Sequence, residues 1–109
     1  MAKTPKAPPK PPRSLGEAGR ELWRRIQAQY RIDDAAGLAL LRTAGECRDL
    51  DVQAMTEARR DGLVITDKYG QKRSHPCLTV ARDARQQMLS ALRAMNLDIE
   101  PLRDRQGRP

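Results

Sequence analysis

At 109 residues the chain has room for one small domain. Aromatic residues make up 3% and phenylalanine is absent, so a core must come from Leu, Ile, Val, Met and Ala; 32% charged residues and a mean hydropathy of −0.76 exclude a thick one. The formal charge of +7 suggests an anionic partner, with plain solubility as the alternative, and nucleic acid is favoured over a membrane because neither a long apolar segment nor a secretion signal is present.

Residues 1–14 carry Lys3, Lys6, Lys10 and Arg13 without an acid, and prolines at positions 5, 8, 9, 11 and 12. Such a composition supports neither helix nor sheet and reads as a disordered or polyproline basic arm. A first helix is expected over 15–31, with Ser14 as N-cap and Glu17 at the capping-box spacing. Its inner face collects Leu15, Gly19, Leu22, Ile26 and Tyr30, with Trp23 on the flank. Arg20, Arg24 and Arg31 cluster on the outer face and Arg25 stands apart, a cationic stripe suited to phosphates or to solvent.

Ile32-Asp33-Asp34 breaks this pattern and caps a long helix over 34–60, about 40 Å at 1.5 Å per residue. Ala36, Leu40, Ala44, Cys47, Leu50, Ala54, Met55 and Ala58 share an apolar face, while Arg42, Glu46, Asp49, Gln53 and Arg60 lie opposite. So much alanine lets a partner helix approach closely. Asp51 projects into that face and needs a cation, because an unpaired buried carboxylate is costly. Arg59-Arg60-Asp61-Gly62 ends the helix. A small β-hairpin turning near Gly70 follows, with Lys68, Lys72 and Arg73 beside Tyr69.

His75-Pro76 opens the last helix, whose stripe is Leu78, Ala81, Ala84, Met88, Leu89, Leu92 and Met95, with Arg85 inside it. If the two longer helices run antiparallel with Arg60 level with Cys77, facing residue numbers sum to about 137. Asp51 then pairs with Arg85, either across this hairpin or across a subunit contact built from the same faces. The fold expected is mainly α: an N-terminal helix, then a long helical hairpin joined by a short β-hairpin. The arm occupies 1–14, the helical domain 15–103, and a mobile polar tail 104–109, with an extended stretch near 96–102.

Catalytic machinery is not expected. No phosphate-binding glycine loop exists, the one histidine, His75, reads as a turn residue, and Cys47 lies too far along the helices from Cys77 to share a metal. The two cysteines make a poor disulfide framework and fit a reducing, intracellular setting. Neither cofactor, metal nor small-molecule substrate is implied, and the chain reads as one that binds and assembles.

The order of parts carries a resemblance. A basic proline-rich arm precedes Leu22-Trp23-Arg24-Arg25-Ile26; a long helix, a short hairpin and His75-Pro76 with an apolar helix follow; Leu97-Asp98-Ile99-Glu100-Pro101-Leu102 and Gly107-Arg108-Pro109 close the chain. This resembles the terminase small subunits of tailed double-stranded-DNA phages over residues 15–109. The resemblance implies a homo-oligomeric ring in the cytoplasm of an infected bacterium. Such a ring binds the packaging start region of the viral genome and recruits or regulates the large ATPase/nuclease subunit. DNA contact would fall on Arg20, Arg24, Arg25 and Arg31, and secondarily on Lys68, Lys72 and Arg73. Ring closure would bury each subunit's spare apolar surface. Leu38, Leu41 and Val52 are the candidates for that second contact, beside the Asp51, Arg85, Met88 and Leu92 seam. A helix-turn-helix regulator is the alternative, and a structural adaptor a further rival; the acids on the exposed side of the long helix speak against a recognition helix.

Overall fold

The computed structural model describes residues 7–97. The expectations for residues 1–6 and 98–109 lie outside the described residues. Three helices and one two-stranded antiparallel sheet follow in the order α1 (Glu17–Tyr30), α2 (Ala35–Asp61), β1 (Val64–Thr66), β2 (Lys72–Ser74) and α3 (Pro76–Ala94). α2 is the spine, with α1 packed on one side and α3 on another.

Local chemistry explains most of the boundaries. Asp34 caps α2 by accepting the Gly37 N–H at 2.9 Å, and Gly62 leaves it at φ 95, a conformation a Cβ would resist. His75 caps α3: its Nδ1 accepts the Cys77 N–H at 3.0 Å, and Pro76 fills the first helical position, where no N–H is needed. The ring proton therefore sits on Nε2, which donates to Asp61 Oδ2 at 3.0 Å, joining the start of α3 to the end of α2. Asn96, at φ 58, takes the left-handed position beyond α3.

Between those helices the strands pair Val64 with Ser74, Ile65 with Arg73 and Thr66 with Lys72. Gly70 supplies the positive φ of the turn, and Asp67 organises it. Its Oδ1 accepts the Tyr69 and Gln71 N–H groups at 2.9 Å each, and its Oδ2 accepts Arg73 Nε at 2.8 Å. The bond from Arg73, then the backbone bond from Gln71, holds this carboxyl below the usual aspartate range. A group whose folded pKa is depressed stabilises above the unfolded pKa and loses that contribution as pH falls through the folded one. The Tyr69 and Gln71 amide resonances should thus titrate together with a midpoint below the ordinary aspartate range; a midpoint at the ordinary value would show that Asp67 does not hold the turn.

The α2–α3 seam is built of small residues. Ala44, Ala54 and Ala58 on α2 and Ala81, Ala84 and Ala91 on α3 are all buried. An alanine methyl contributes only roughly 0.8 kcal/mol on burial, so closeness of the backbones and their dispersion contacts matter more than transferred area. Leu50 and Leu89, expected within the two stripes, are each 45% exposed instead, because alanine contacts leave the wider side chains at the rim of the seam.

α1 departs furthest from expectation. Its N-cap is Gly16, and no side chain of its own caps it. Asp49, expected on the solvent side of the long helix, does so from α2: Oδ2 accepts the Gly16 N–H at 2.6 Å and Oδ1 the Gly19 N–H at 2.7 Å. The expected Ser14–Glu17 capping box is displaced by this carboxylate, which also meets the positive end of the helix dipole. Ser14 Oγ instead accepts from Arg42 Nη2 at 3.4 Å. Leu15 and Gly19 of the expected inner face are buried, but Trp23 and Gln27 join them there while Leu22, Ile26 and Tyr30 are half-buried, so the buried face is rotated toward Trp23. Leu15, Trp23, Ile32 and Leu41 form the core here, flanked by Ile26, Tyr30, Leu38, Met95 and Leu97. Gln27 clamps the α1–α2 turn through both polar atoms, its Nε2 donating to Ile32 O at 2.8 Å and its Oε1 accepting the Ile32 N–H at 2.7 Å.

Trp23 turns inward because the arm closes over it. Residues 7–12, expected as part of a disordered arm, run without regular structure along α1, and Pro9 O accepts the Trp23 indole N–H at 2.8 Å. A proline-rich segment suits this place, since it has little conformational freedom left to lose. Deleting residues 1–12 should expose the only tryptophan and shift its emission to longer wavelength; an unchanged spectrum would place the arm elsewhere.

Candidate nucleic-acid interface

The α1 arginines do not act alike. Arg24, Arg25 and Arg31 are exposed and make no ion pair among the described residues. Arg20, expected beside them as a phosphate contact, is half-buried and turned to the arm: its Nη2 donates to Arg13 O at 3.1 Å, and its Nε is buried without a partner. Folding the arm back over Trp23 draws this guanidinium under the chain, so Arg20 positions the arm more than it presents charge outward.

The hairpin residues form a separate group. Lys72 is exposed and makes no ion pair among the described residues, Lys68 Nζ stands 5.3 Å from the Tyr69 ring centroid, and Tyr69 is 76% exposed. A cation over an exposed ring presents both a charge and a stacking surface. Arg73 is partly spent on Asp67. Arg31 precedes α2 and the hairpin follows it, so about 40 Å of helix separates them at 1.5 Å per residue. The structure does not merge the two groups into one patch.

Asp51 occupies the middle of α2 at 2% exposure, and each of its oxygens takes one guanidinium. Oδ1 accepts Arg85 Nε at 2.9 Å from α3, and Oδ2 accepts Arg48 Nη1 at 3.1 Å from the preceding turn of α2. The pair expected from the register therefore forms within the chain. Cys47 Sγ lies 3.8 Å from Gln87 Oε1, in keeping with the same antiparallel alignment. Burial, with the charge of Glu46 second, pushes the Cys47 thiol up. Arg48 was missed, although its position three residues before Asp51 is a spacing that brings helix side chains together.

Of the residues expected to meet a neighbouring copy, Leu41 is 0% exposed in the core that α1 closes and cannot serve as an outer surface. α1 itself covers it. Leu38, Met88 and Leu92 are half-buried, and Val52 is exposed. The described residues hold no group of three or more His, Cys, Asp or Glu side chains placed for a metal, and no helix among them is long and apolar enough to cross a membrane.

Fold and site together define a three-helix chain with an inserted hairpin and two cationic surfaces. Comparison with protein-family models, curated proteins and solved structures found no match to it.

Proposed function

We propose that this chain is a viral DNA-packaging protein, a terminase small subunit that binds the packaging start region as a homo-oligomeric ring and recruits or regulates the large ATPase/nuclease subunit. It would act in the cytoplasm of an infected bacterium. The observation that carries the DNA-binding part is the set of exposed arginines on α1 and at its C-terminal end, Arg24, Arg25 and Arg31, without an ion pair among the described residues, in a chain of net charge +7. Guanidinium groups free of acids have hydrogen bonds to give to phosphates. Ring formation is supported by apolar side chains left open on one chain: Leu50, Val52, Val80 and Leu89, all at least 38% exposed. A heterologous contact that closes would cover them.

Native mass spectrometry at low and high salt, with and without duplex DNA, tests both parts. A large closed assembly that takes up duplex and releases it at high salt is expected. A compact monomer or dimer indifferent to DNA in dilute buffer would overturn the reading. Replacing Arg24, Arg25 and Arg31 with alanine should remove DNA retention and leave the subunit number unchanged.

A further inference from the structure

Arg48 lines hollows on both sides of α2. On one side it faces Arg25 and Glu21 of α1. On the other it lines a hollow of about 140 Å³ with Asp51, Val52, Met55, Arg59 and Arg85. Three guanidinium groups and one carboxylate meet there, so the cluster keeps two positive charges in excess.

The carboxylate does more than neutralise. Asp51 is buried and takes a single hydrogen bond from each of Arg48 and Arg85, whose side chains stay 44% and 51% exposed. Each guanidinium carries five donors, so most of them remain unspent, and both groups are fixed in place from beneath. Arg59 lines the same hollow, is exposed, and makes no ion pair among the described residues. Glu17 and Glu21 face Arg48 only from the α1 side, outside this hollow, and the other neighbouring acids are committed elsewhere. Asp49 caps α1, while Glu57 and Asp61 pair with Arg60. Arginines held by a buried acid, beside a free third cation, form a preorganised seat for a tetrahedral anion with several acceptor oxygens.

We propose that the Arg48–Arg59–Arg85 hollow is a phosphate seat that holds one phosphodiester of a duplex, continuing the path of Arg25 from α1 across α2 to α3. This deepens the DNA-binding reading and rests on it. Arg48 and Arg85 are binding residues there, and Asp51 is a positioning residue.

Salt dependence of duplex binding tests it, since each neutralised phosphate adds about 0.9 to the slope of log affinity against log salt. Fluorescence anisotropy with a labelled duplex of random sequence reads the slope for the wild type and for Arg59→Ala, Arg59→Lys and Arg82→Ala. Arg59 has no ion-pair partner to lose among the described residues, and Arg82 is an exposed arginine outside the hollow, 69% exposed. The expected result is a slope reduced by about 0.9 in Arg59→Ala, restored in Arg59→Lys and unchanged in Arg82→Ala. Arg48→Ala, which leaves Asp51 its bond from Arg85, should lower the slope likewise. Unchanged slopes in Arg59→Ala and Arg48→Ala, with wild-type binding intact, would overturn the seat and leave the DNA reading standing. Loss of assembly mass in these variants without a change in slope would assign the hollow to an acidic side chain of a second copy, and also overturn it. Absence of duplex binding by the wild type would remove the DNA reading and the seat together.

Discussion

Replacing both Arg48 and Arg85 with alanine is expected to destabilise the fold by about 3–5 kcal/mol, the usual cost of leaving a buried charge without its partner. Asp51→Leu, at the same cluster, is expected to be near neutral. The asymmetry follows from where the charges sit. Asp51 is 3% exposed at its side chain, whereas Arg48 and Arg85 are 44% and 51% exposed and turn outward once released. Buried ion pairs contribute less to stability than their geometry implies, because desolvation offsets most of the attraction. Single removal of Arg85 leaves Asp51 the bond from Arg48, so that variant should fall between the two extremes. Asp51→Arg places another guanidinium against Arg48 and Arg85 in an alanine-lined seam and should abolish folding. Urea midpoints of the double variant and of Asp51→Leu decide the matter. Equal losses in the two would mean that the carboxylate is hydrated in solution, and the account of the seam would then be wrong.

Gly19→Ala should detach α1. A Cβ at position 19 would stand 2.5 Å from Gly45 O and 2.6 Å from Asp49 Oδ2. The first of these is backbone of α2 and cannot swing aside, so α1 must move away from its spine. Overpacking of this kind costs about 1–3 kcal/mol, and moving α1 also breaks the Asp49 cap, worth roughly 1 kcal/mol more. The melting temperature of a small domain falls by about 4–8 °C per kcal/mol, and Trp23 emission should shift toward that of an exposed indole. Gly45→Ala is the contrast. There the nearest atoms are the two Cδ methyls of Leu15 at 3.0 and 3.1 Å and Gly19 O at 3.3 Å, so the neighbours need give by only a few tenths of an ångström. Its loss should be much smaller, and equal losses at 19 and 45 would show that the helix contact is looser than described.

Element boundaries were legible because their causes are local. Asp34, Gly62, Gly70 and His75-Pro76 each act within a turn of their own position through a cap, a positive φ or a missing N–H. The Asp51–Arg85 pair was legible as well, since two charged anomalies on apolar stripes and a short connection leave one antiparallel alignment. Burial on α2 was harder to divide. α2 buries Leu41 and Gly45 against the α1 side and Cys47 and Asp51 toward α3, so its apolar residues spread round the helix and periodicity alone gives no single face to assign.

The chain's own composition and local signals thus determined that it makes a short helix, a spine and a return helix with a hairpin between the last two, and that it carries excess positive charge. Only the tertiary structure decided that Asp49 reaches across to cap α1 and that the face of α1 carrying Trp23 and Gln27 turns inward. Each of these depends on the rotation of one helix about its axis relative to another. That angle is set by which glycines and alanines allow close approach, and residue spacing within a single helix does not contain it.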